Sequence, residues 1–424
     1  MANALQTATI ITNEVVRIAH NSSAFLGNMS SDWDSSWKGK YAPGATIYAR
    51  RPVQFRVRSG ATASIQDVTD ATVGITVQPE LGIDFAISDF DLATAIRNDG
   101  SLDKQFRDRF LKPAGLRLAA EIDYQVGLII KNDTANLVGT PGTGPSTLQH
   151  VADAQVPMDN FGCPRDGMRY AAFSPTANAA LVGGFSTLQN DRNSVGENYK
   201  RGVMQDAMGL NIMMSQNIPT HTVGALGGTP LVNGASQGTT TAVATENPWA
   251  ATTSLITDGW TAAASGRLKK GDVITIAGVF AVNPETKQST GVLRDFVVTA
   301  DVSSDGSGNL TAVIAPAIIA AGAYQNVDAL PANDAAITVR TGTAATAYPQ
   351  NLIWHKDAIA FVSPELELPA GMDMAAMSSL ADEGSISLRF VRGYDITNNR
   401  RISRFDVLYG AAVLNRNWVV RRTA

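Results

Sequence analysis

Between Thr222 and Tyr348 the sequence is dominated by Thr, Ala, Gly and Val, and helix-capping patterns disappear. Turn signals such as Gly271-Asp272 separate short apolar runs in this stretch, which is the pattern of a small all-β fold. The strand-like runs are Val273–Ala277, Phe296–Val302, Leu310–Ile314 and Ile337–Arg340. Patterns of mixed helix and strand precede the stretch and return after it. The sequence therefore predicts an all-β module of about 125 residues inserted into a mixed host domain.

The host segments carry one strong helical pattern, from Ser101 to Lys131. Pro113 cannot continue a helix but suits the first turn of a new one, so we expect a short helix, a break and a long amphipathic helix ending near Asn132. Apolar residues recur along the long helix at helical spacing: Leu118, Ile122, Val126 and Ile129. Further expected elements are a helix within Thr9–Ala19, a helix from Ser174-Pro175, and strands at Met168–Phe173, Leu210–Met214, Asn351–Val362, Ser385–Tyr394, Ile402–Leu408 and Trp418–Arg421. This mixture predicts an α+β host.

Residues Gly44 to Val77 have the pattern of a long β-hairpin. In its first arm, Val53, Phe55 and Val57 alternate with basic or polar residues, which is the period of a half-exposed strand. Ser59-Gly60 is a turn signal, and Ile65–Val77 forms the returning arm. The basic side chains of the first arm are Arg50, Arg51, Arg56 and Arg58. Because acidic residues lie on the returning arm and aromatic residues are sparse, protein–protein contact is favoured over nucleic-acid binding here.

Two further features suggest contact surfaces. Trp33 and Trp37 lie in the polar stretch Asn28–Lys40, which indicates an arm that packs on its own chain or on a neighbouring subunit. The last segment carries arginines and no lysines: Arg389, Arg392, Arg400, Arg401, Arg404, Arg416, Arg421 and Arg422. Since Arg forms planar bidentate pairs with carboxylates and tolerates interfaces better than Lys, intersubunit ion pairs are favoured over a solvated strand face. The acidic partners would include Asp84, Asp89 and Asp91.

The composition narrows the class of protein. Charged residues make up only 17% of the chain, against a usual ~25%. Either much surface is buried against partners, since interface cores are depleted of charge, or the protein is a β-rich one heavy in small residues. A net charge of −4 argues against a protein whose main role is to bind nucleic acid, and the lone Cys163 excludes an intrachain disulfide. No apolar run suits a membrane span and the N-terminal residues lack the pattern of a secretory signal, so neither is expected.

One motif suggests catalysis, but its context does not fit. Gly234-Ala-Ser236-Gln-Gly238 matches the nucleophile elbow of serine hydrolases, which needs a strand before it and a helix after it. Three threonines follow instead, and threonine disfavours a helix. The four histidines are scattered, without the spacing of metal ligands. We therefore expect no catalytic residue, no cofactor and no metal site, in a protein that is not an enzyme.

The order of these parts resembles the major capsid proteins of tailed phages, which share the Hong Kong 97-type fold. Gly44–Pro52 resembles the beginning of the extended E-loop, Phe110–Asp123 the spine helix, Leu210–Pro219 a strand of the A-domain, Asn351–Pro369 the strand and loop that follow, and Phe405–Gly410 the closing strand of the P-domain. Within the module, Leu268–Gly278 followed by Val282-Asn-Pro284 resembles the insertion domain of short-tailed phage coat proteins of the P-twenty-two type.

The resemblance implies an α+β, Hong Kong 97-like capsid fold with an N-arm, an E-loop, a P-domain with a spine helix, an A-domain and an inserted all-β, barrel-like domain. The implied boundaries are 1–40 for the N-terminal arm, 41–80 for the E-loop hairpin, 81–134 for the P-domain with its spine helix, 135–221 for the A-domain, 222–348 for the inserted domain, 349–384 for the return of the A-domain and 385–424 for the C-terminal strands of the P-domain.

The resemblance also implies a function: self-assembly into hexamers and pentamers of an icosahedral shell enclosing double-stranded DNA. The implied partners are the chain itself, a scaffolding protein, a portal and packaged DNA bound without sequence specificity, with no membrane. The protein would reside in the virion after assembly in the host cytoplasm. Candidate intersubunit contacts are Arg50, Arg51, Arg56, Arg58, Trp33, Trp37, Arg400, Arg401 and Arg404. The alternatives are a β-rich bacterial surface protein or adhesin and, less favoured, a serine hydrolase built around Ser236.

Overall fold

The computed structural model describes residues 2–30, 43–51, 53–55, 57–58, 60–63, 65, 71–87, 104, 107–185, 207–239, 251–369, 374–379, 386–395 and 400–424. The chain divides into two compact units. The first unit comprises Met1–Tyr48, Gly74–Val126 and Ala360–Ala412, and the second comprises Ala49–Val73, Gly127–Ile359 and Val413–Ala424. Trp33, Trp37, Arg56, Asp89 and Asp91 lie outside the described residues.

The helices of the described chain are α1 (Ala2–Ser22), α2 (Lys112–Asp133), α3 (Leu148–Asn160) and α4 (Pro175–Phe185). The strands that precede the inserted domain are β1 (Thr46–Arg51), β2 (Ala71–Thr76), β3 (Leu81–Ile87), β4 (Leu137–Val138), β5 (Arg169–Phe173), β6 (Asn211–Met214) and β7 (Thr220–Thr222). Those of the inserted domain are β8 (Gly228–Val232), β9 (Thr253–Trp260), β10 (Val273–Val282), β11 (Ser289–Val298), β12 (Leu310–Ala315) and β13 (Ile337–Val339). The strands that follow are β14 (Ala347–His355), β15 (Ile359–Val362), β16 (Met374–Ser379), β17 (Ser387–Asp395), β18 (Arg400–Val407), β19 (Gly410–Val413) and β20 (Val419–Thr423).

The long helix α2 confirms the helical pattern of the sequence. A π-helical turn, Arg107–Leu111, runs directly into it, and Pro113 is the second residue of α2. Its buried apolar residues repeat every four positions: Leu118, Ile122, Val126 and Ile130. The sequence pattern had pointed to Ile129 for the last of these, which is only partly buried.

The first unit contains an antiparallel sheet in the order β16-β17-β18-β3. Helix α1 packs on β16 and β17. Its apolar face, which includes Ile11, Val15 and Ala19, is buried as the amphipathic pattern predicts. The sheet itself carries paired aromatic rings, with Phe390 and Phe405 5.0 Å apart between ring centroids.

The hairpin is shorter than the sequence predicts. Strand β1 ends at Arg51 and pairs with β2, and the described residues between 53 and 65 lie outside strands. The predicted continuation of the first arm to Arg58 is therefore wrong. Pro52 has no N–H with which to continue the hydrogen-bond ladder. Phe55 and Val57 are exposed, so the apolar side chains of this alternating segment are not buried against a sheet.

The second unit combines a host sheet with the inserted domain. The host sheet has the order β4-β20-β14-β5-β6, with antiparallel pairs around β14 and parallel pairs at both edges. The inserted strands form an antiparallel sheet in the order β13-β10-β11-β12-β9-β8. Its outer strands meet through a bridge between Leu231 and Ala336, so the sheet nearly closes around a core that includes Trp260, Ile276 and Phe296. The predicted barrel-like β insertion is confirmed.

Within the first unit, Asp123 of α2 anchors the chain that leaves α1. The hydroxyl of Ser23 donates to Oδ1 of Asp123, and the amide of Ala24 donates to Oδ2 at 2.9 Å. Burial raises the pKa of Asp123 from 3.8 to about 6, although these hydrogen bonds oppose the rise. The folded chain therefore binds a proton at mildly acidic pH that the unfolded chain has released.

This arrangement predicts a pH dependence of stability. Because the folded-state pKa is raised, the contribution of Asp123 to the free energy of unfolding should fall as the pH rises from 3.8 to about 6. Relative to Asp123→Asn, which cannot titrate, the wild-type chain should lose on the order of 2 kcal/mol across this window. Urea unfolding at a series of pH values measures the difference between the two proteins. The control is Asp108→Asn, and a difference between wild type and Asp123→Asn that stays flat with pH contradicts the assignment.

Candidate functional site

The inserted domain is joined to the host through a neck made of the two connecting strands. Strand β7 leads into the inserted domain, and β14 leaves it. The two pair antiparallel, with Thr222 opposite Ala347, His221 opposite Tyr348 and Thr220 opposite Pro349. The chain therefore enters and leaves the inserted domain at one place.

A single buried carboxylate, Asp272, holds the neck together. Its Oδ1 accepts hydrogen bonds from Nε2 of His221 and from the hydroxyl of Thr341, both at 2.8 Å. Its Oδ2 accepts from the amides of Lys269 at 2.7 Å and Gly224 at 3.1 Å. These four donors come from the ingoing chain, the turn that holds Asp272 and the outgoing chain. Burial alone would raise the pKa of Asp272, but the hydrogen bonds outweigh it and hold the pKa below its usual range.

His221 links Asp272 to the host helix α2. Nζ of Lys131 lies 3.4 Å from Nδ1 of His221 and donates to the carbonyl of Thr220, also at 3.4 Å. Burial lowers the pKa of His221 and lowers that of Lys131 to about 8. A neutral imidazole with its proton on Nε2 fits both neighbours, since it donates to Asp272 and accepts from Lys131.

Gly271 makes the tight turn before Asp272 possible. Its φ of +98° lies in the left-handed region, which favours glycine. A Cβ at this position would also stand 3.0 Å from Oδ1 of Asn132 and 3.2 Å from Nδ1 of His221. The turn at Gly271, which the sequence predicts, therefore brings the carboxylate of Asp272 close to the host.

A second attachment lies on strand β11. Asp295 accepts hydrogen bonds from the guanidinium of Arg340 at 2.5 and 2.7 Å and from the amide of Leu137 in the host at 3.1 Å. Next to it, Arg294 donates to Oδ1 of Asn417 at 2.7 Å and stacks over the ring of Phe161, 4.4 Å from its centroid. Both host partners belong to the second unit. The inserted domain thus contacts the host through charged groups as well as through the neck.

The structure exposes some of the hairpin residues singled out from the sequence. Arg50 and Arg58 are exposed, whereas Arg51 is half-buried and its pKa is lowered to about 10 by burial. The apolar residues of the same segment are also exposed, with Phe55 at 64%, Val57 at 91% and Ile65 at 94%. Such apolar exposure on one segment is typical of a surface that another chain covers.

Several of the C-terminal arginines singled out from the sequence find partners inside the chain. Arg404 bonds to Glu80 at 3.0 Å and to Asp406 at 2.7 Å, and its Nε lies 3.7 Å from Asp84. Arg389 shares both Glu80 and Asp406. Arg400 and Arg401 lie on β18. An intersubunit role for Arg400, Arg401 and Arg404 stays a prediction, and the structure shows an intrachain network around Arg404.

The hydrolase motif does not form a nucleophile elbow. Ser236 is exposed and lies after β8, with its amide bonded to the carbonyl of Pro331 at 2.8 Å. Residues 237 to 239 are not helical. A serine in this setting lacks the strand–turn–helix geometry that raises its nucleophilicity.

Sequence reasoning missed the neck residues. His221, Asp272 and Thr341 are distant in sequence, and no local motif joins them. The available signal was a lone histidine just before the composition shift and an aspartate in a glycine turn near the first strong strand.

Comparison with known families decides the identity. A family model described as "P22 coat protein - gene protein 5" matches residues 3–419. The chain belongs to the P22 coat protein family. It is therefore the major capsid protein of a tailed phage, with the α+β capsid fold and inserted domain that the resemblance implied. No curated protein matches the chain.

Several solved structures are similar to this coat protein. A chain of Mycobacterium phage Che8 shares 13% identity over 94% of this chain and 90% of its own, with a TM-score of 0.45. The capsid structure of the cyanophage P-SCSP1u shares 14% identity over 92% of this chain and 85% of its own, with a TM-score of 0.40. The CUS-3 coat protein I-domain shares 26% identity over 28% of this chain and 99% of its own, with a TM-score of 0.20.

The role of Asp272 predicts a large loss of stability on a small change. In Asp272→Asn, the amide group supplies one acceptor in place of two and leaves buried donors of the neck unsatisfied. We expect the free energy of unfolding to fall by about 2–4 kcal/mol, measured by urea denaturation.

Asp301→Asn is the matched control for this change. Asp301 is exposed and its Oδ1 accepts from the amide of Lys270 at 2.7 Å, in the same turn. Its replacement should cost less than about 1 kcal/mol, because water can satisfy the freed amide. Equal losses in the two variants would show that Asp272 is no more than another turn residue.

Proposed function

We propose that this coat protein assembles into hexamers and pentamers of an icosahedral shell that encloses double-stranded DNA. The observation that carries the proposal is the match of the P22 coat protein family to residues 3–419. The coarser statement, a structural protein of the virion that self-assembles into capsid shells, follows from family membership. A scaffolding protein, a portal, packaged DNA bound without sequence specificity, and assembly in the host cytoplasm belong to the proposal.

The proposed role is structural and non-enzymatic. Ser236 lacks the geometry of a nucleophile elbow, which supports this role. No helix in the described ranges is long and apolar enough to cross a membrane.

The domain boundaries inferred from the resemblance remain part of the proposal. They assign 1–40 to an arm, 41–80 to the E-loop, 81–134 and 385–424 to the P-domain, 135–221 and 349–384 to the A-domain, and 222–348 to the insertion. The two compact units group the chain differently at its end, since Val413–Ala424 lies with Gly127–Ile359.

The hairpin supports a contact between subunits. Phe55, Val57 and Ile65 leave large apolar surfaces in water. Burying each against a neighbour would contribute on the order of 1.5–3 kcal/mol. Small contacts of this kind suffice in a closed shell, because each subunit repeats them with several neighbours. Arg50 and Arg58, on the same segment, would set the register of the contact through charge.

Expression of the full chain with and without a scaffolding protein tests the proposal. Negative-stain electron microscopy and sedimentation velocity should show shells or capsomer-like rings. A chain that remains strictly monomeric in both settings contradicts it.

Charge reversal at Arg50 should impair assembly more than folding. Arg50 is exposed, so Arg50→Glu should leave the thermal midpoint of the subunit within a few degrees of wild type. The yield of shells, measured by sedimentation, should fall at least about tenfold, which corresponds to ~1.4 kcal/mol per subunit. Arg51 is a poorer choice, because its partial burial couples charge reversal to folding.

Arg50→Lys is the matched control, because it keeps the charge at the same position and should still assemble. Equal losses of assembly and folding in Arg50→Glu would reject an interface role for this residue.

A further inference from the structure

Arg294 of β11 is a buried cation with unused donors. It is 2% exposed, and its Nη2 donates to Oδ1 of Asn417 at 2.7 Å. Among the described residues, no atom accepts a hydrogen bond from its Nε or Nη1. Folded proteins rarely leave buried donors in this state, because such donors have lost water and gained no partner.

The guanidinium of Arg294 lies at the wall of a cavity of about 40 Å³, which Arg294 itself lines. The two residues that contact the guanidinium, Asn417 and Phe161, line the same cavity. The ring centroid of Phe161 lies 4.4 Å from Cζ of Arg294. Since a single water requires roughly 10–15 Å³, the cavity has room for one small ion of several atoms.

The lining of this cavity is positively charged. It includes the side chains of Arg294 and Arg416, and no aspartate or glutamate is among the described residues that line it. Arg416 is paired with Asp133 at 2.7 Å, and both oxygens of Asp295, the neighbour of Arg294 in sequence, accept from Arg340. Burial lowers the pKa of Arg294 to about 10, so its guanidinium is still charged at neutral pH.

Two side-chain amides add further donors beside Arg294. Asn415 and Asn417 both line the cavity. Oδ1 of Asn415 accepts from the backbone amide of Asn417 at 3.1 Å, and Oδ1 of Asn417 accepts from Arg294. Within the described part of the chain, the Nδ2 groups of these two residues donate to no other residue. One wall of the cavity therefore offers donors from three side chains.

We propose that this cavity binds one small inorganic oxyanion of the class of phosphate and sulfate. The anion would accept from the unused donors of Arg294 and from Nδ2 of Asn415 and Asn417. Because Arg294 is only 2% exposed, a free ion fits the site better than a phosphate or carboxylate group carried on another macromolecule.

Such an anion would strengthen the attachment of the inserted domain. Arg294 belongs to β11 of that domain, whereas Asn415 and Asn417 belong to the host segment before β20. An ion that accepts from all three would join the two parts at a place separate from the neck. This inference rests on the fold of the subunit alone and does not depend on the proposed assembly.

Calorimetric titration of the full-length subunit with inorganic phosphate, at constant ionic strength in gluconate, tests the site. The wild type should bind one phosphate. Asn415→Asp keeps the oxygen that accepts from the amide of Asn417 but places a carboxylate at the cavity, so the affinity for phosphate should fall at least about tenfold.

Asn217→Asp is the matched control for this variant. It makes the same change of charge at a half-buried position that does not line the cavity, so it should bind phosphate as the wild type does. Equal affinities in the two variants, or no binding by the wild type, overturn the proposal.

Selenate provides a second measurement that does not depend on the folding of any variant. Crystals of the wild-type subunit grown in selenate should show an anomalous peak in the cavity beside the Arg294 guanidinium. Density there without an anomalous signal would indicate ordered water only and would overturn the proposal.

Discussion

The position of the inserted domain depends on one buried carboxylate. An insertion is held firmly only if the chain segments that lead in and out are tied together, and Asp272 ties both to the turn that carries it. The pairing of β7 with β14 reinforces this link. In addition, β11 lies against the host: Asp295 accepts from the amide of Leu137, and Arg294 contacts Phe161 and Asn417. A barrel with its own core thus becomes part of a larger unit.

The low charged fraction of this coat protein acquires a structural meaning. Some of the charged side chains lie inside the chain: Arg294 and Arg421 are buried around the inserted domain, and Arg389 pairs with the buried Asp406 in the first unit. The sequence left two interpretations open, an interface depleted of charge and a β-rich protein of small residues. The insertion is a nearly closed sheet of β-strands, which fits the second interpretation. The first stays a prediction, favoured by the exposed apolar side chains of the hairpin.

Local periodicity predicted the elements well and their partners poorly. The β insertion and α2 were found because their patterns extend over many residues, and Pro113 marked the beginning of α2. The first strand of the hairpin was predicted too long. Alternation of apolar and polar residues does not show whether a neighbouring sheet is present to bury the apolar side chains. The C-terminal arginines were visible, but their partners Glu80 and Asp406 were not, since pairing across a fold leaves no local pattern. The neck was missed for the same reason.

Native-state hydrogen exchange of the wild-type subunit tests the central claim about the neck. The amides of Gly224 and Lys269 lie outside the regular strands and donate to the carboxylate of Asp272. If Asp272 holds the two connecting segments together, these amides should exchange as slowly as those in the centres of β10 and β14. Their hydrogen bonds would then open only when the whole unit unfolds. Exchange at the rate of exposed turns, while β10 and β14 stay protected, would contradict this account.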